Sequence, residues 1–254
     1  MRTPLIAGNW KMHLQRAEAI ALACAVRDRC DAIEDVDTVV CPTYVFLQDV
    51  RTALEGSRVM LGAQNLYWEE KGPFTGEVSV TQVAELARFA IIGHSERRQY
   101  FGETDETVNR RMQAALAHGI TPILCVGETL EQREREQTSD VLLQQVRGGL
   151  FSINVPSTLV VAYEPVWAIG TGLAADGPTA EAAISLIRRT LRDLSGDTAD
   201  AIRILYGGSV TPENTAEFML EADIDGGLVG GASLKADSFA AIVAAAADTV
   251  AARS

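Results

Sequence analysis

The segment LVVAYEPVWAIGTG, residues 159–172, contains a short apolar run, Leu159–Ala162, that ends in Tyr163-Glu164-Pro165 and continues into a loop. Apolar runs of this length without a polar interruption are typical of strands covered on both faces, as in parallel sheets. Seven similar runs occur along the chain, at Pro4–Ala7, Thr38–Cys41, Val59–Ala63, Ala90–Ile92, Thr121–Val126, Ile202–Tyr206 and Gly227–Val229. The sequence therefore predicts eight parallel strands.

Stretches with helical spacing of apolar residues lie between these runs, and the clearest are Ala17–Arg29, Thr104–His118, Pro178–Leu194 and Ser238–Ala252. Strand–helix units repeated eight times in 254 residues predict an α/β fold, a (β/α)₈ barrel that forms one domain over residues 1–254. A doubly wound open sheet is the alternative. It usually has fewer strands and a GxGxxG turn after the first strand, which this sequence lacks.

Composition and charge exclude several classes of protein. Hydrophobic residues make up 47% and charged residues 22% of the chain, as in ordinary globular proteins. The net charge of −12 argues against binding to nucleic acid or to an anionic membrane, but it leaves room for a locally positive anion site. The four cysteines form no CxxC pair, so we expect no metal site and reduced thiols in the cytoplasm. Neither a signal peptide nor a transmembrane segment is expected.

Polar residues follow the predicted strands at the end where barrel enzymes carry their active sites. Asn9 and Lys11 follow the first run, His94-Ser95-Glu96 follows the fourth, and Glu164 follows the sixth. Glycine-rich turns follow the seventh and eighth runs. A cation, an imidazole and a carboxylate on one rim suit proton transfer on a phosphorylated substrate.

The same residues lie within motifs that resemble the triosephosphate isomerase family. The motifs run in order along the chain: AGNWKM (7–12), GAQN (62–65), GPFTGE (72–77), GHSERR (93–98), CVGE (125–128), AYEPVWAIGTG (162–172), YGGSV (206–210) and DGGLVGGASL (225–234). The resemblance implies an isomerase of glycolysis and gluconeogenesis that interconverts dihydroxyacetone phosphate and D-glyceraldehyde 3-phosphate. It further implies a cytoplasmic homodimer that uses neither a cofactor nor a metal.

The resemblance also implies roles for individual residues. Glu164 would be the base, and His94 would be a neutral electrophile whose pKa is lowered by the helix that begins at Ser95. Lys11 would stabilise the enediolate and Asn9 would orient Lys11 or the substrate. The supporting residues would be Ser95, Glu96 and Cys125, with Cys125 as a packing thiol rather than a nucleophile.

Further expectations concern phosphate binding, a lid and the subunit interface. Backbone N–H groups of Gly170, Ser209, Gly230 and Gly231 would hold the phosphate, beside a short helix that begins near Gly231. The lid segment, residues 165–171, comprises Pro165, Val166, Trp167, Ala168, Ile169, Gly170 and Thr171 and would exclude water when closed. The loop of residues 72–77, with Thr75 at its tip, would enter the neighbouring subunit.

The chain departs from the family pattern at His13, Pro73 and Leu173, which places lid kinetics and dimer strength in question but removes no predicted catalytic residue. A paralogue that acts on a four-carbon sugar phosphate remains an alternative. So does a barrel aldolase that uses Lys11 as a Schiff base. A metal-dependent hydrolase is disfavoured because no HxH pair ends a strand. A binding protein without activity is disfavoured because Lys11, His94 and Glu164 are all present.

Overall fold

A computed structural model of the chain, which describes residues 2–169 and 175–253, confirms the predicted barrel. Eight parallel strands pair in sequence order and close into a ring. They are β1 (Leu5–Asn9), β2 (Asp37–Cys41), β3 (Met60–Ala63), β4 (Phe89–Ile92), β5 (Thr121–Val126), β6 (Val160–Tyr163), β7 (Arg203–Tyr206) and β8 (Gly226–Val229). Their ends differ from the predicted ends by two residues at most.

Helices surround the strands, and the four predicted most clearly are confirmed. The α-helices of the described chain are α1 (Arg16–Cys30), α2 (Leu47–Ala53), α3 (Val80–Ala84), α4 (Ser95–Phe101), α5 (Asp105–Ala117), α6 (Leu130–Glu134), α7 (Thr138–Gly149), α8 (Gly177–Ser195), α9 (Thr215–Met219) and α10 (Ala236–Arg253). Short 3₁₀ turns lie at Tyr44–Phe46, Val166–Ala168, Gly196–Asp200 and Gly231–Leu234. Capping side chains fix where individual helices begin. At the N-cap of α8, for example, the Asp176 side chain accepts a hydrogen bond from the Thr179 amide.

The ring closes where β1 pairs with both β2 and β8, so that Leu5 lies opposite Asp37 on one side and Gly226 on the other. Gly226 has a φ of +140°, and a Cβ at this position would lie 2.0 Å from the Leu5 carbonyl oxygen. Only glycine allows β1 and β8 to approach this closely. Closure of the barrel between β1 and β8 therefore requires a glycine at position 226, the first glycine of the motif DGGLVGG.

Side chains of the strands alternate between two apolar layers. Leu5, Ala7, Val39 and Cys41 point into the barrel, while their neighbours, such as Ile6, pack under the helices. Both layers are almost free of solvent. Because the interior is filled, chemistry is confined to the rims, and all strands direct their carboxyl ends to the same rim.

The opposite, amino-terminal rim contains a buried ion cluster that the sequence analysis did not predict. Arg188 of α8 is 1% exposed and binds Asp225 (2.7 Å) and Asp223 (3.0 Å). Its Nη1 also donates to the carbonyls of Ala199 and Ile202. Arg2 contacts Asp225 at 2.6 Å. The cluster ties α8 to the entrances of β7 and β8.

Candidate active site

The predicted base and electrophile lie in contact at the carboxyl-terminal rim. Glu164 follows β6, and His94 follows β4 and caps the amino terminus of α4. The Nε2 atom of His94 lies 2.9 Å from Oε1 of Glu164, and the Ser95 amide donates to Oε2 at 2.8 Å. Glu164 is 2% exposed and His94 is 6% exposed. The structure thus brings together two residues that are 70 positions apart in the sequence.

The hydrogen bonds of His94 define which ring nitrogen carries a proton. The amide of Glu96, in the first turn of α4, donates to Nδ1 at 3.2 Å, and Nδ1 can accept only when it is unprotonated. In this pattern Nε2 carries the ring proton and donates a hydrogen bond to Glu164. Helix α4 begins at Ser95, as the sequence predicts. This start points the Glu96 amide at the imidazole ring of His94.

Burial and the neighbouring carboxylate act on the pKa of each residue in opposite directions. The expected lowering of the His94 pKa is wrong for this arrangement: burial lowers the pKa, but the charge and hydrogen bond of Glu164 outweigh it and raise the pKa above its ordinary value. For Glu164, burial raises the pKa, while His94 and the Ser95 amide lower it below its ordinary value. The Glu164 carboxylate is therefore ionised at neutral pH.

Lys11 has a left-handed backbone conformation, with a φ of 49°. This region is uncommon for a residue with a side chain, so local contacts must stabilise it. The Lys11 amide donates to Oδ1 of Asn9 at 3.0 Å, and Gln64 donates to the Lys11 carbonyl at 2.8 Å. The Asn9 side chain thus holds the Lys11 backbone, and its expected role of orienting Lys11 or the substrate stays a prediction. Gln64 was not predicted as a site residue, although it lies in the motif GAQN.

The Lys11 ammonium is directed into the site by a single charge pair. Its Nζ lies 2.6 Å from Oε1 of Glu96, which is itself 39% exposed. A Cβ added to Gly230 would lie within about 4 Å of the Lys11 ammonium group. The cation therefore lies between the His94–Glu164 pair and the glycine turn after β8.

These groups border one cavity of about 300 Å³. Its walls include Asn9, Lys11, His94, Glu164, Ile169, Ser209, Gly230 and Gly231. The predicted phosphate-binding residues Ser209, Gly230 and Gly231 are thus brought together with the predicted catalytic residues. The 3₁₀ turn Gly231–Leu234 begins where the short helix was expected. Gly170, Thr171 and the departure Leu173 lie outside the described residues.

The first half of the lid segment contacts both sides of the rim. Val166–Ala168 forms a 3₁₀ turn, and the Ser209 hydroxyl donates to the Ala168 carbonyl at 2.9 Å. The Trp167 indole N–H donates to Oε1 of Glu128 at 2.9 Å. Pro165 and Ile169 flank this turn, and Ile169 lines the cavity.

Glu128 is a site residue to which the sequence analysis gave no role, although it ends the motif CVGE. It is fully buried, and its Oε1 also accepts from the Tyr163 hydroxyl at 3.1 Å and contacts Arg133 at 3.3 Å. The guanidinium of Arg133 lies over the Trp167 ring. A glutamate beside a strand end was visible in the sequence, but two of its three partners, Tyr163 and Trp167, lie 35 and 39 positions away.

Cys125 lies inside the barrel beneath the site, without exposed surface. Burial, with Glu164 nearby, raises the pKa of its thiol well above the ordinary value, which disfavours a thiolate nucleophile. Within residues 2–169 and 175–253, no group of three or more histidine, cysteine or acidic side chains could hold a metal ion. The same part of the chain contains no helix long and apolar enough to span a bilayer.

The loop of residues 72–77 lies between β3 and α3 and projects into solvent. All six of its residues are exposed, including Pro73 and Thr75. Its base is held by Phe74, whose ring centroid lies 4.9 Å from that of Tyr67, and by a hydrogen bond from the Tyr67 amide to the Val78 carbonyl. Exposed Met12 and Val45 also lie on this chain's surface. The loop is anchored at its base, while its tip is left uncovered by residues 2–169 and 175–253.

Comparisons with known proteins agree with this geometry. The family model described as triosephosphate isomerase matches residues 4–246. The triosephosphate isomerase of Dehalococcoides mccartyi is 52% identical over 98% of this chain and 99% of its own length. That of Moorella thermoacetica is 53% identical over 96% and 98%, respectively. The crystal structure of triosephosphate isomerase from Bartonella henselae superposes with a TM-score of 0.89 at 35% identity, covering 96% of this chain and 98% of that one. The chain therefore belongs to the triosephosphate isomerase family, a family of isomerases.

Proposed function

We propose that the protein interconverts dihydroxyacetone phosphate and D-glyceraldehyde 3-phosphate by proton transfer through an enediolate. The observation that carries the proposal is the cavity in which the Glu164 carboxylate, the His94 ring and the Lys11 ammonium border the glycine turns after β7 and β8. A base, an electrophile and an anion site within one small cavity are the groups that this reaction needs.

Glu164 removes a proton from the carbon next to the substrate carbonyl and returns it to the neighbouring carbon. Its lowered pKa keeps the free carboxylate ionised and ready to accept that proton. The electron pair of the broken C–H bond forms the C=C bond of the enediolate, and the former carbonyl oxygen takes up the negative charge. The hydroxyl proton of the deprotonated carbon passes through His94 to the former carbonyl oxygen, and return of the first proton to the former carbonyl carbon completes the change from ketose to aldose.

His94 donates a hydrogen bond from Nε2 to the oxygen that becomes negative. The Glu96 amide already occupies Nδ1, so a neutral ring presents its one proton to the cavity. In the structure this proton meets Glu164, whose charge raises the pKa of His94. A substrate placed between the two side chains removes that cause, and burial and the helix terminus then favour the neutral ring.

Lys11 stabilises the negative charge of both the enediolate and the phosphate. At a net charge of −12 the protein repels anions at long range, so attraction must be local. The ammonium beside Gly230, together with backbone N–H groups of Ser209, Gly230, Gly231 and Gly170, supplies that local attraction. Glu96 holds the ammonium in place before the substrate binds.

The lid segment excludes water from the enediolate, which could otherwise lose its phosphate. Its described half already bonds to Ser209, which follows β7, and to Glu128, which follows β5. A segment that contacts both sides can cover the substrate with little further rearrangement of its ends. Gly170 and Thr171 complete this lid.

The functional unit is a homodimer in the reducing cytoplasm, where it serves glycolysis and gluconeogenesis. The exposed loop 72–77, with Thr75 at its tip, and the exposed apolar side chains of Met12 and Val45 support a partner surface beside Lys11. His13 and Pro73 are exposed on this surface, so the two departures alter the interface rather than the catalytic groups.

A coupled assay with glyceraldehyde 3-phosphate, run beside erythrose 4-phosphate, tests the substrate. The proposal predicts a kcat/KM for the triose that approaches the diffusional ceiling of about 10⁸–10⁹ M⁻¹s⁻¹. Faster turnover of the tetrose would retain the mechanism and change the substrate. Absence of turnover with either sugar would contradict the proposal.

A further inference from the structure

We propose that Gln145 of α7 is a positioning residue for the catalytic carboxylate, acting through the peptide groups of Gly127. This inference rests on the proposed role of Glu164 as the base. Gln145 does not line the cavity that Lys11 and His94 border, although it lines an adjacent cavity together with Gly127 and Glu164. It acts instead on the strap, residues 126–128, which connects the end of β5 to α6 and holds the backbone of Glu164.

The strap continues the pairing of β5 with β6 beyond the two strands. The Glu164 amide donates to the Val126 carbonyl at 2.7 Å, and the Val166 amide donates to the Glu128 carbonyl at 3.1 Å. Gly127 lies between these two hydrogen bonds, opposite Glu164. Any movement of the strap is therefore transmitted to the backbone that carries the base.

Gly127 permits a contact that no other residue could make. A Cβ at this position would lie 1.7 Å from the Glu164 carbonyl oxygen and 3.2 Å from its Cα. Real Cβ contacts are not shorter than about 3.0 Å, so an alanine would displace Glu164 or the strap by more than an ångström. The position of the base is thus set by direct backbone contact with Gly127.

Gln145 holds Gly127 with both ends of its side-chain amide. Oε1 accepts from the Gly127 N–H at 2.7 Å, and Nε2 donates to the Gly127 carbonyl at 3.2 Å. Two hydrogen bonds from one planar amide fix both the position and the tilt of the strap. Gln144, one position earlier on α7, is exposed and bonds instead to Asp105 at 3.1 Å. The helix therefore offers a matched control for the same side chain.

The consequence is a selective effect on the chemical step. A misplacement of about 1 Å can cost about 100-fold in rate, because the base no longer lines up with the C–H bond. The proposed phosphate contacts of Lys11, Ser209, Gly230 and Gly231 come from other segments of the rim, and the strap bonds to the lid only through Glu128. Loss of the Gln145 clamp should thus lower kcat and leave KM nearly unchanged.

The test compares Gln145→Leu, Gln145→Glu and Gln144→Leu with the unaltered enzyme in the triose phosphate assay. We expect kcat to fall about tenfold in Gln145→Leu, with KM and the inhibition constant of inorganic phosphate within twofold of the unaltered values. Gln145→Glu keeps the acceptor for the Gly127 amide and loses the donor, so its kcat should lie between that of Gln145→Leu and that of the unaltered enzyme. Gln144→Leu should match the unaltered enzyme. Gly127→Ala should lower kcat by about 100-fold.

The kinetic results distinguish failure of the Gln145 clamp from failure of the proposed function. Unchanged kcat in Gln145→Leu, or an equal loss in Gln144→Leu, would overturn the clamp while the unaltered enzyme still turns over. A parallel loss of phosphate affinity would mean general damage to the barrel and would also overturn it. An inactive unaltered enzyme would instead contradict the proposed function. Circular dichroism confirms that each variant is folded before kinetics are compared.

Discussion

Both rims of the barrel bury charged side chains, but the hydrogen-bond and ion-pair partners of these side chains differ between the rims. At the amino-terminal rim, Arg188 uses all three nitrogens of its guanidinium, on Asp223, Asp225 and backbone carbonyls. At the carboxyl-terminal rim, Glu164 has the Ser95 amide and a His94 ring that borders a cavity. A buried charge with all its partners inside the protein makes the fold depend on each partner, because loss of one leaves an uncompensated charge. A buried charge that borders a cavity can exchange a partner for a substrate.

Replacing Glu164 by alanine should give the largest effect and separate the two rims most clearly. We expect kcat to fall by about 10²–10⁴-fold because only the proton transfer is lost. The midpoint of urea unfolding should hardly change, since the carboxylate is costly to bury. Steady-state kinetics and urea unfolding on the same preparation measure both quantities. A kcat within a few-fold of the unaltered enzyme would remove Glu164 from the role of base.

Arg188→Met should show the converse behaviour. Removing one partner from a buried ion pair leaves Asp225 without its main counter-charge and should cost about 3–5 kcal/mol of unfolding free energy. The kcat of the folded protein should remain within twofold. Arg192→Met is the control, because Arg192 and Asp200 form a solvent-exposed pair that contributes little to stability. Equal stability of the two variants would mean that the amino-terminal cluster does not stabilise the fold.

Lys11→Ala tests whether the cation belongs to the carboxyl-terminal set. Losing a positive charge beside the developing oxyanion should lower kcat by about 10²–10³-fold, and KM should rise because the phosphate loses the same attraction. Lys235→Ala removes an equal charge from an exposed position and should leave both constants unchanged. A purely structural Lys11 would lower stability instead and alter neither constant in the folded fraction.

The pH dependence should show the smallest effect. Because the pKa of Glu164 is lowered, the carboxylate of the free enzyme stays ionised below its ordinary range and is not lost until more acidic pH. The fall of kcat/KM from pH 8 to pH 5 should then follow the second ionisation of the substrate phosphate, near pH 6, together with the protonation of His94, whose pKa is raised in the free enzyme. After correction for the substrate, a further enzyme ionisation above pH 5 besides that of His94 would contradict this.

Sequence reasoning predicted what depends on local patterns and on the topology that they imply. Apolar runs set the strands, and the parallel arrangement then brings Lys11, His94 and Glu164 to one rim. The Asn9 contact with the Lys11 backbone spans only two residues. These inferences need no knowledge of how distant side chains pack.

The remaining contacts join segments that are far apart in sequence. Arg188 reaches Asp225 across 37 positions, and Trp167 reaches Glu128 across 39. Gln145 contacts Gly127 across 18 positions and looks like any polar residue on an exposed helix face. No periodicity distinguishes it from Gln144, so only the packing of α7 against the end of β5 separates the two.

The most direct test of the central claim is turnover of dihydroxyacetone phosphate in D₂O, followed by NMR of the product. If the Glu164 carboxylate carries the proton between the two carbons, the carboxyl hydrogen can exchange with solvent, and product molecules will contain deuterium on carbon. Glu164→Ala should then lose turnover and incorporation together. Product formed rapidly by the unaltered enzyme with no deuterium on carbon would indicate direct hydride transfer and contradict the account.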